Sequence, residues 1–131
     1  MTRQLAVGVS RVLLLLAVAA VVRADEKPAT EEQKIEALLK HVEDMRDAKM
    51  VRNDREYDAK TAARFLRGKW EANEAGIKTA KDFIEKAASV SSTTGRPYLI
   101  RFKDGKEMKS GAYLLAELEK LEKSAEGKRA P

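Results

Sequence analysis

The chain gathers its hydroxyls in one place: Ser89, Ser91, Ser92, Thr93 and Thr94 lie together and are closed by Gly95-Arg96-Pro97. Hydroxyls and backbone amides just past a helix, beside a guanidinium, are groups that can cradle a carboxylate or phosphate. Arg52, Arg67 and Arg101 join such a site if the elements that carry them adjoin the loop. The competing use of the run is a capped helix end with a solvated loop, and of each arginine a surface ion pair or a snorkelling side chain. The ligand-binding candidates are therefore Ser91, Ser92, Arg96, Arg67 and Arg52.

Catalytic constellations are harder to assemble. A serine hydrolase needs a base beside its nucleophile, and the chain has one histidine, His41, at the side of an apolar helical stripe. No nucleophile-elbow sequence accompanies it. Glu43-Asp44 and Glu117 with Glu119 could act as acid and base on a glycan, but carboxylates on a helix surface ordinarily just face water. Trp70 and Tyr113, which could stack on a sugar, sit at core spacing instead. With no cysteine, one histidine and no calcium-loop spacing, no metal site is expected, and no cofactor. Catalytic residues are assigned to none.

The elements that position these groups follow from periodicity and capping. Thr30 with Gln33 forms a capping box ahead of Ile35, Leu38, Leu39, Val42 and Met45, an amphipathic helix. Lys49 to Arg52, turn residues Asn53-Asp54 and Glu56-Tyr57 read as a short hairpin. Asp58 caps a helix to about Ala72 whose inner face is Ala59, Ala62, Ala63, Leu66 and Trp70. Gly76 is expected to end that segment in a left-handed conformation. Thr79 with Asp82 opens a helix burying Ala80, Phe83, Ile84 and Ala87. Tyr98, Ile100 and Phe102 alternate as in a half-buried strand, Asp104-Gly105 turns, and Lys106 to Met108 pairs back. Ser110 is expected to cap a last helix with Leu114, Leu115, Leu118 and Leu121 as its stripe. The expected fold is α+β, about four helices with two short β-hairpins around one small core, in the order helix, hairpin, helix, helix, hairpin, helix. No internal repeat is convincing.

The first 24 residues read differently. Arg3 is followed by the apolar run Val12 to Val22, then by Val22-Arg23-Ala24, the small-residue ending of a cleavable signal peptide. A membrane anchor needs about 20 apolar residues, more than this run holds. Cleavage would remove Arg3, Arg11 and Arg23 from 26 basic residues and nothing from 21 acidic ones, lowering the net charge from +5 to +2. So balanced a chain carries no basic footprint for nucleic acid. The expected division is a signal peptide over 1–24, a polar lead-in over 25–29, a single domain over 30–122 and a disordered tail over 123–131. With no cysteine, that domain relies on apolar burial and has no disulfide to support it.

Met50-Val51-Arg52-Asn53, Ala62-Ala63 to Leu66-Arg67, and above all Ile77 to Arg101, with Ile77-Lys78-Thr79-Ala80-Lys81-Asp82-Phe83-Ile84 running into Ala88-Ser89-Val90-Ser91-Ser92 and Gly95-Arg96-Pro97-Tyr98, resemble the YfeK-like family of small exported bacterial proteins. The resemblance spans about residues 35 to 121 and implies a periplasmic protein of a Gram-negative bacterium, with no activity attached. It also implies glycine at position 54, where this chain has Asp54, so the turn type at Asn53-Asp54 is left open.

The expectation is thus a non-catalytic binding or interaction module, monomeric or weakly associating, periplasmic and without stable membrane insertion. Its partner would be a protein or an anionic envelope component. The alternative is a small envelope hydrolase acting from the Ser89 to Pro97 loop.

Overall fold

The computed structural model describes the backbone of residues 28–129, so the signal peptide expected over 1–24 lies outside the described residues. Within them the order is α1 (Glu31–Glu43), β1 (Lys49–Arg52), β2 (Arg55–Asp58), α2 (Ala59–Ala72), a 3-10 turn (Glu74–Gly76), α3 (Ala80–Phe83), a π-helical turn (Ile84–Ala88), β3 (Leu99–Arg101), β4 (Glu107–Lys109) and α4 (Ser110–Arg129). This is the expected α+β order. What periodicity could not show is that the two hairpins join. β1 and β3 pair antiparallel, Met50 opposite Ile100 and Val51 opposite Leu99, which makes one four-stranded sheet in the order β2-β1-β3-β4.

Helices start where local chemistry satisfies their free amides. Thr30 and Gln33 form a complete capping box, as do Thr79 and Asp82, and Asp58 accepts from the amide of Thr61. One cap is tertiary: Glu31 accepts from the amide of Ala80 and pairs with Lys34, which also reaches Glu122, so α1, α3 and α4 are tied at one point.

The core forms where the inner face of the sheet meets the helices. Ile35, Leu38, Leu39 and Val42 of α1 and Ala62, Ala63 and Leu66 of α2 meet Phe83 and Ile84, with Met50 and Tyr98 of the sheet and Leu114 and Leu118 of α4. Each large side chain so buried stabilises the fold by about 1.5–3 kcal/mol. Trp70 packs edge-on against Phe83, with ring centroids 6.3 Å apart. The stripe of α4 is narrower than its spacing suggests, because Leu115 and Leu121 remain exposed.

Four local expectations change. Gly76 does not take positive φ, since the amide of Asn73 bonds the Trp70 carbonyl and a 3-10 turn follows. Ser110 is not a side-chain cap: it is the first residue of α4, its hydroxyl is buried without a partner, and its amide donates to the Tyr98 carbonyl at 2.8 Å. Strand β4 begins at Glu107, one residue later than expected. The backbone stays helical to Arg129, so residues 123–129 are not the expected unstructured tail.

The segment after Phe83 widens into a π turn, which places both Ala87 and Ala88 in the core. Ser89 closes it by donating from its hydroxyl to the Ile84 carbonyl at 2.6 Å. The start of α4 presses on that closure at Gly111. A Cβ there would overlap the Ser89 hydroxyl and come within 3.2 Å of the Ser89 Cβ. Gly111→Ala should therefore cost about 1–3 kcal/mol of stability, outweighing the helix propensity it gains. In thermal denaturation the loss should shrink when Ser89→Ala is present; equal losses in both backgrounds would mean that this contact is not the constraint.

The cap carboxylates set an acid limit. Asp58 is held below the ordinary carboxylate range chiefly by the Thr61 amide, and Asp82 chiefly by the Lys78 amide. Glu31 is lowered chiefly by Lys34, with the Ala80 amide next. A carboxyl lowered by folding contributes stability that is present above its unfolded pKa and lost as the pH falls through its folded one. Urea midpoints should hold steady down to the ordinary carboxylate range and fall below it. Asp58→Asn, which keeps an accepting oxygen, should flatten that fall; an unchanged slope would remove Asp58 from the account.

Candidate functional site

The loop after the π turn is a small closed structure. Val90 bridges to Pro97, the Tyr98 amide donates to the Ser89 carbonyl at 2.9 Å, and the Ser91 amide and carbonyl bond Arg96 and Gly95 at 2.9 Å each. Gly95 sits at φ +72°, a conformation costly for other residues, and lets the chain turn back. Ser91 is buried at its centre. Its hydroxyl oxygen accepts from the amides of Thr93 and Thr94 at 3.3 Å and from Asn53 Nδ2 at 3.2 Å, and shares a hydrogen bond with Thr93 Oγ1 at 3.0 Å. That oxygen is occupied by the fold itself. Ser92 is exposed beside it.

The β1–β2 turn is the loop's anchor. Asn53 and Asp54 adopt φ of 50° and 67°, so both central residues are left-handed, as in a type I′ turn, which resolves the turn type. Asn53 gives its Nδ2 to Ser91 and accepts at Oδ1 from the Thr94 hydroxyl at 2.7 Å. The Asp54 carboxylate receives both terminal nitrogens of Arg96, at 2.9 and 2.8 Å. Arg96 thereby holds Asp54 below its ordinary pKa. Aspartate at position 54 thus does something glycine cannot: it tethers the loop.

The other arginines separate. Arg67 forks onto Glu36 of α1, at 2.8 and 2.6 Å, away from the loop. Arg101 lies on the outer face of the sheet between Glu56 and Glu107. Of the three arginines expected to converge, only Arg52 lies beside the loop. It shares the inner face with Met50, and continuing the β1–β3 register places it next to Tyr98.

Above Arg52 stands a group that no sequence motif marks. The α2 residues Phe65 and Lys69 are one turn apart, and the Arg52 guanidinium lies 4.2 Å from the centre of the Phe65 ring. Lys69 Nζ donates to the Val90 carbonyl and the Tyr98 hydroxyl, both at 3.1 Å, and is 5.8 Å from the Phe65 ring centre. Burial pushes the Lys69 ammonium down, and Arg52 adds to the shift. Burial pushes the Tyr98 hydroxyl up, with Arg52 opposing. Among the described residues neither cation pairs with a carboxylate, whereas Arg67, Arg96 and Arg101 each do. The sequence signal was the i, i+4 pair Phe65 and Lys69, which is read easily only once Tyr98 is known to lie beneath it.

His41 belongs to a separate cluster, its Nε2 2.7 Å from the Tyr113 hydroxyl and its Nδ1 3.7 Å from Glu117. Its hydrogen-bond partner is a phenol, and the partners of the Ser91 hydroxyl include neither imidazole nor carboxylate.

A small α+β domain with one antiparallel sheet, and a loop whose Ser89, Ser91, Thr93 and Thr94 hydroxyls bond within the fold, defines a class by architecture and not by chemistry. The chain belongs to the family of unknown function DUF5329, whose pattern matches residues 29–122. Over 70 residues it is 40% identical to the uncharacterized protein YfeK of Salmonella typhimurium, an alignment covering 53% of this chain and 58% of that protein. The chain thus spans a little over half the length of that relative. No solved structure matches.

If Ser91 is structural, Ser91→Ala should cost about 1–3 kcal/mol, because Asn53 Nδ2 and two amides lose their acceptor. Ser92→Ala should stay within about 0.5 kcal/mol of the parent. Urea denaturation measures both; equal values would remove Ser91 from the centre of the loop.

Proposed function

We propose that the chain is a non-catalytic binding module of the bacterial periplasm, monomeric or weakly associating, which presents the 89–97 loop and the Asn53-Asp54 turn to a protein partner or an anionic envelope component. The observation that carries the reading is the tether between loop and turn. Asn53 and Arg96 each make two side-chain bonds across it, so two surface segments far apart in sequence hold one shape before any partner arrives. Order of this kind lowers the entropy cost of binding. The apolar run and cleavage pattern of the first 24 residues support export, and no helix among the described residues is long and apolar enough to cross a membrane.

Site-specific photo-crosslinking in the native bacterium tests this. Crosslinkers at Ser92 and Val90 should trap the same species from the osmotic-shock fraction, several-fold more strongly than one at Lys60, at the other end of α2. Arg96→Gln should weaken trapping and Arg67→Gln should leave it unchanged. Equal trapping from all three positions, or retention of the chain with the cytoplasmic fraction, would overturn the reading.

A further inference from the structure

We infer that Arg52, Lys69 and Tyr98 form a binding site for an oxyanion, a carboxylate or phosphoryl group, at the end of the sheet beneath the 89–97 loop. This deepens the binding-module reading and rests on it for its biological use. The argument begins with charge. Two cations approach the face of one phenyl ring, Arg52 at 4.2 Å and Lys69 at 5.8 Å from its centre, and no carboxylate among the described residues compensates either. Like charges brought together with partial loss of water repel each other, and an anion between them removes that repulsion.

Unused donors supply the second part of the argument. Arg52 Nε is buried and has no hydrogen-bond partner. A buried donor left unpaired is costly, so such a group calls for an acceptor. The guanidinium carbon lies 4.2 Å from the centre of the Phe65 ring, and the unpartnered Nε–H is the donor left to bond an oxygen. Lys69 has three N–H groups and uses two, on the Val90 carbonyl and the Tyr98 hydroxyl. Since Tyr98 accepts from Lys69, its own hydroxyl proton is available to donate. Charged N–H donors with one phenolic O–H suit an acceptor with several anionic oxygens. They do not suit a cation or an apolar ligand.

The third part is position. Lys69 holds the Val90 carbonyl near the start of the loop, and Asn53, next to Arg52, holds Ser91, the residue that follows. An oxyanion on Arg52 and Lys69 is therefore one residue from both anchors of the loop.

The test is titration of the isotopically labelled chain, purified from cells, with inorganic phosphate and separately with acetate, at ionic strength held constant with chloride. Amide shifts of Arg52, Val90, Ser91 and Tyr98 should saturate with at least one anion. Saturation with phosphate alone assigns a phosphoryl ligand, and with acetate alone a carboxylate; either supports the site. Lys69→Met should weaken binding about tenfold or more, and Lys69→Arg should retain it. Tyr98→Phe keeps the ring and should weaken binding a few-fold, so the donors are tested even if Lys69→Met fails to fold. Shifts that never saturate with either anion, or equal affinity in parent, Lys69→Met and Tyr98→Phe, would overturn the site. If titration succeeds while crosslinking at the loop fails, the oxyanion site stands and the partner reading falls; the reverse result removes the site alone.

Discussion

The antiparallel pairing of β1 with β3 is the contact on which the rest of the molecule depends. Lys49, Met50 and Val51 meet Arg101, Ile100 and Leu99, and through these few pairs two hairpins that would be marginal alone become one sheet. Register matters more here than length. A slip by one residue would turn Met50 and Ile100 away from the helices and carry Arg52 to the outer face. In the register present, Arg52 lies beside Tyr98 under α2, and Arg101 lies among the acids of the opposite face.

That pairing also decides what the hydroxyl-rich loop can be. Once β3 lies beside β1, the segment entering β3 must pass the β1–β2 turn, and its polar groups find partners there. Ser91, Thr94 and Arg96 are satisfied by Asn53 and Asp54. The turn buttresses the hydroxyl-rich loop, and the uncompensated charge lies beneath it, on Arg52 and Lys69. The π turn serves the same end: Ser89 closes it, receives the Tyr98 amide on its carbonyl and leaves room for Gly111. Tyr98 is pinned on both sides of its peptide unit, by Ser89 and by Ser110, which holds its hydroxyl under Lys69.

Short-range spacing specifies an element where the physics is local. The capping boxes at Thr30 and Thr79 and the cap at Asp58 involve atoms a few residues apart, so spacing suffices; the alternation of Tyr98, Ile100 and Phe102 holds as far as Ile100, because the strand ends at Arg101 and leaves Phe102 outside it. Where a neighbour from elsewhere competes, spacing misleads. Ser110 has cap chemistry, but its hydroxyl is enclosed by packing, and Gly76 has the freedom for a left-handed end that the 3-10 turn does not use. The site candidates divide in the same way. Arg52 and Arg96 do lie at the loop, Arg67 pairs with Glu36 instead, and Lys69 carries no distinctive local signal because a lysine on an amphipathic helix looks like ordinary solvated charge.

By itself the sequence determined the order of elements, most of their ends and the apolar faces that form the core, because helix periodicity, strand alternation and capping are encoded in short spans. Tertiary structure alone decided which charges meet. Asn53 reaches Ser91 across 38 positions, Arg96 reaches Asp54 across 42, and Lys69 reaches Tyr98 across 29. Contacts at such separations follow from strand register and helix placement, which are set by the packing of the whole core and by no segment of it.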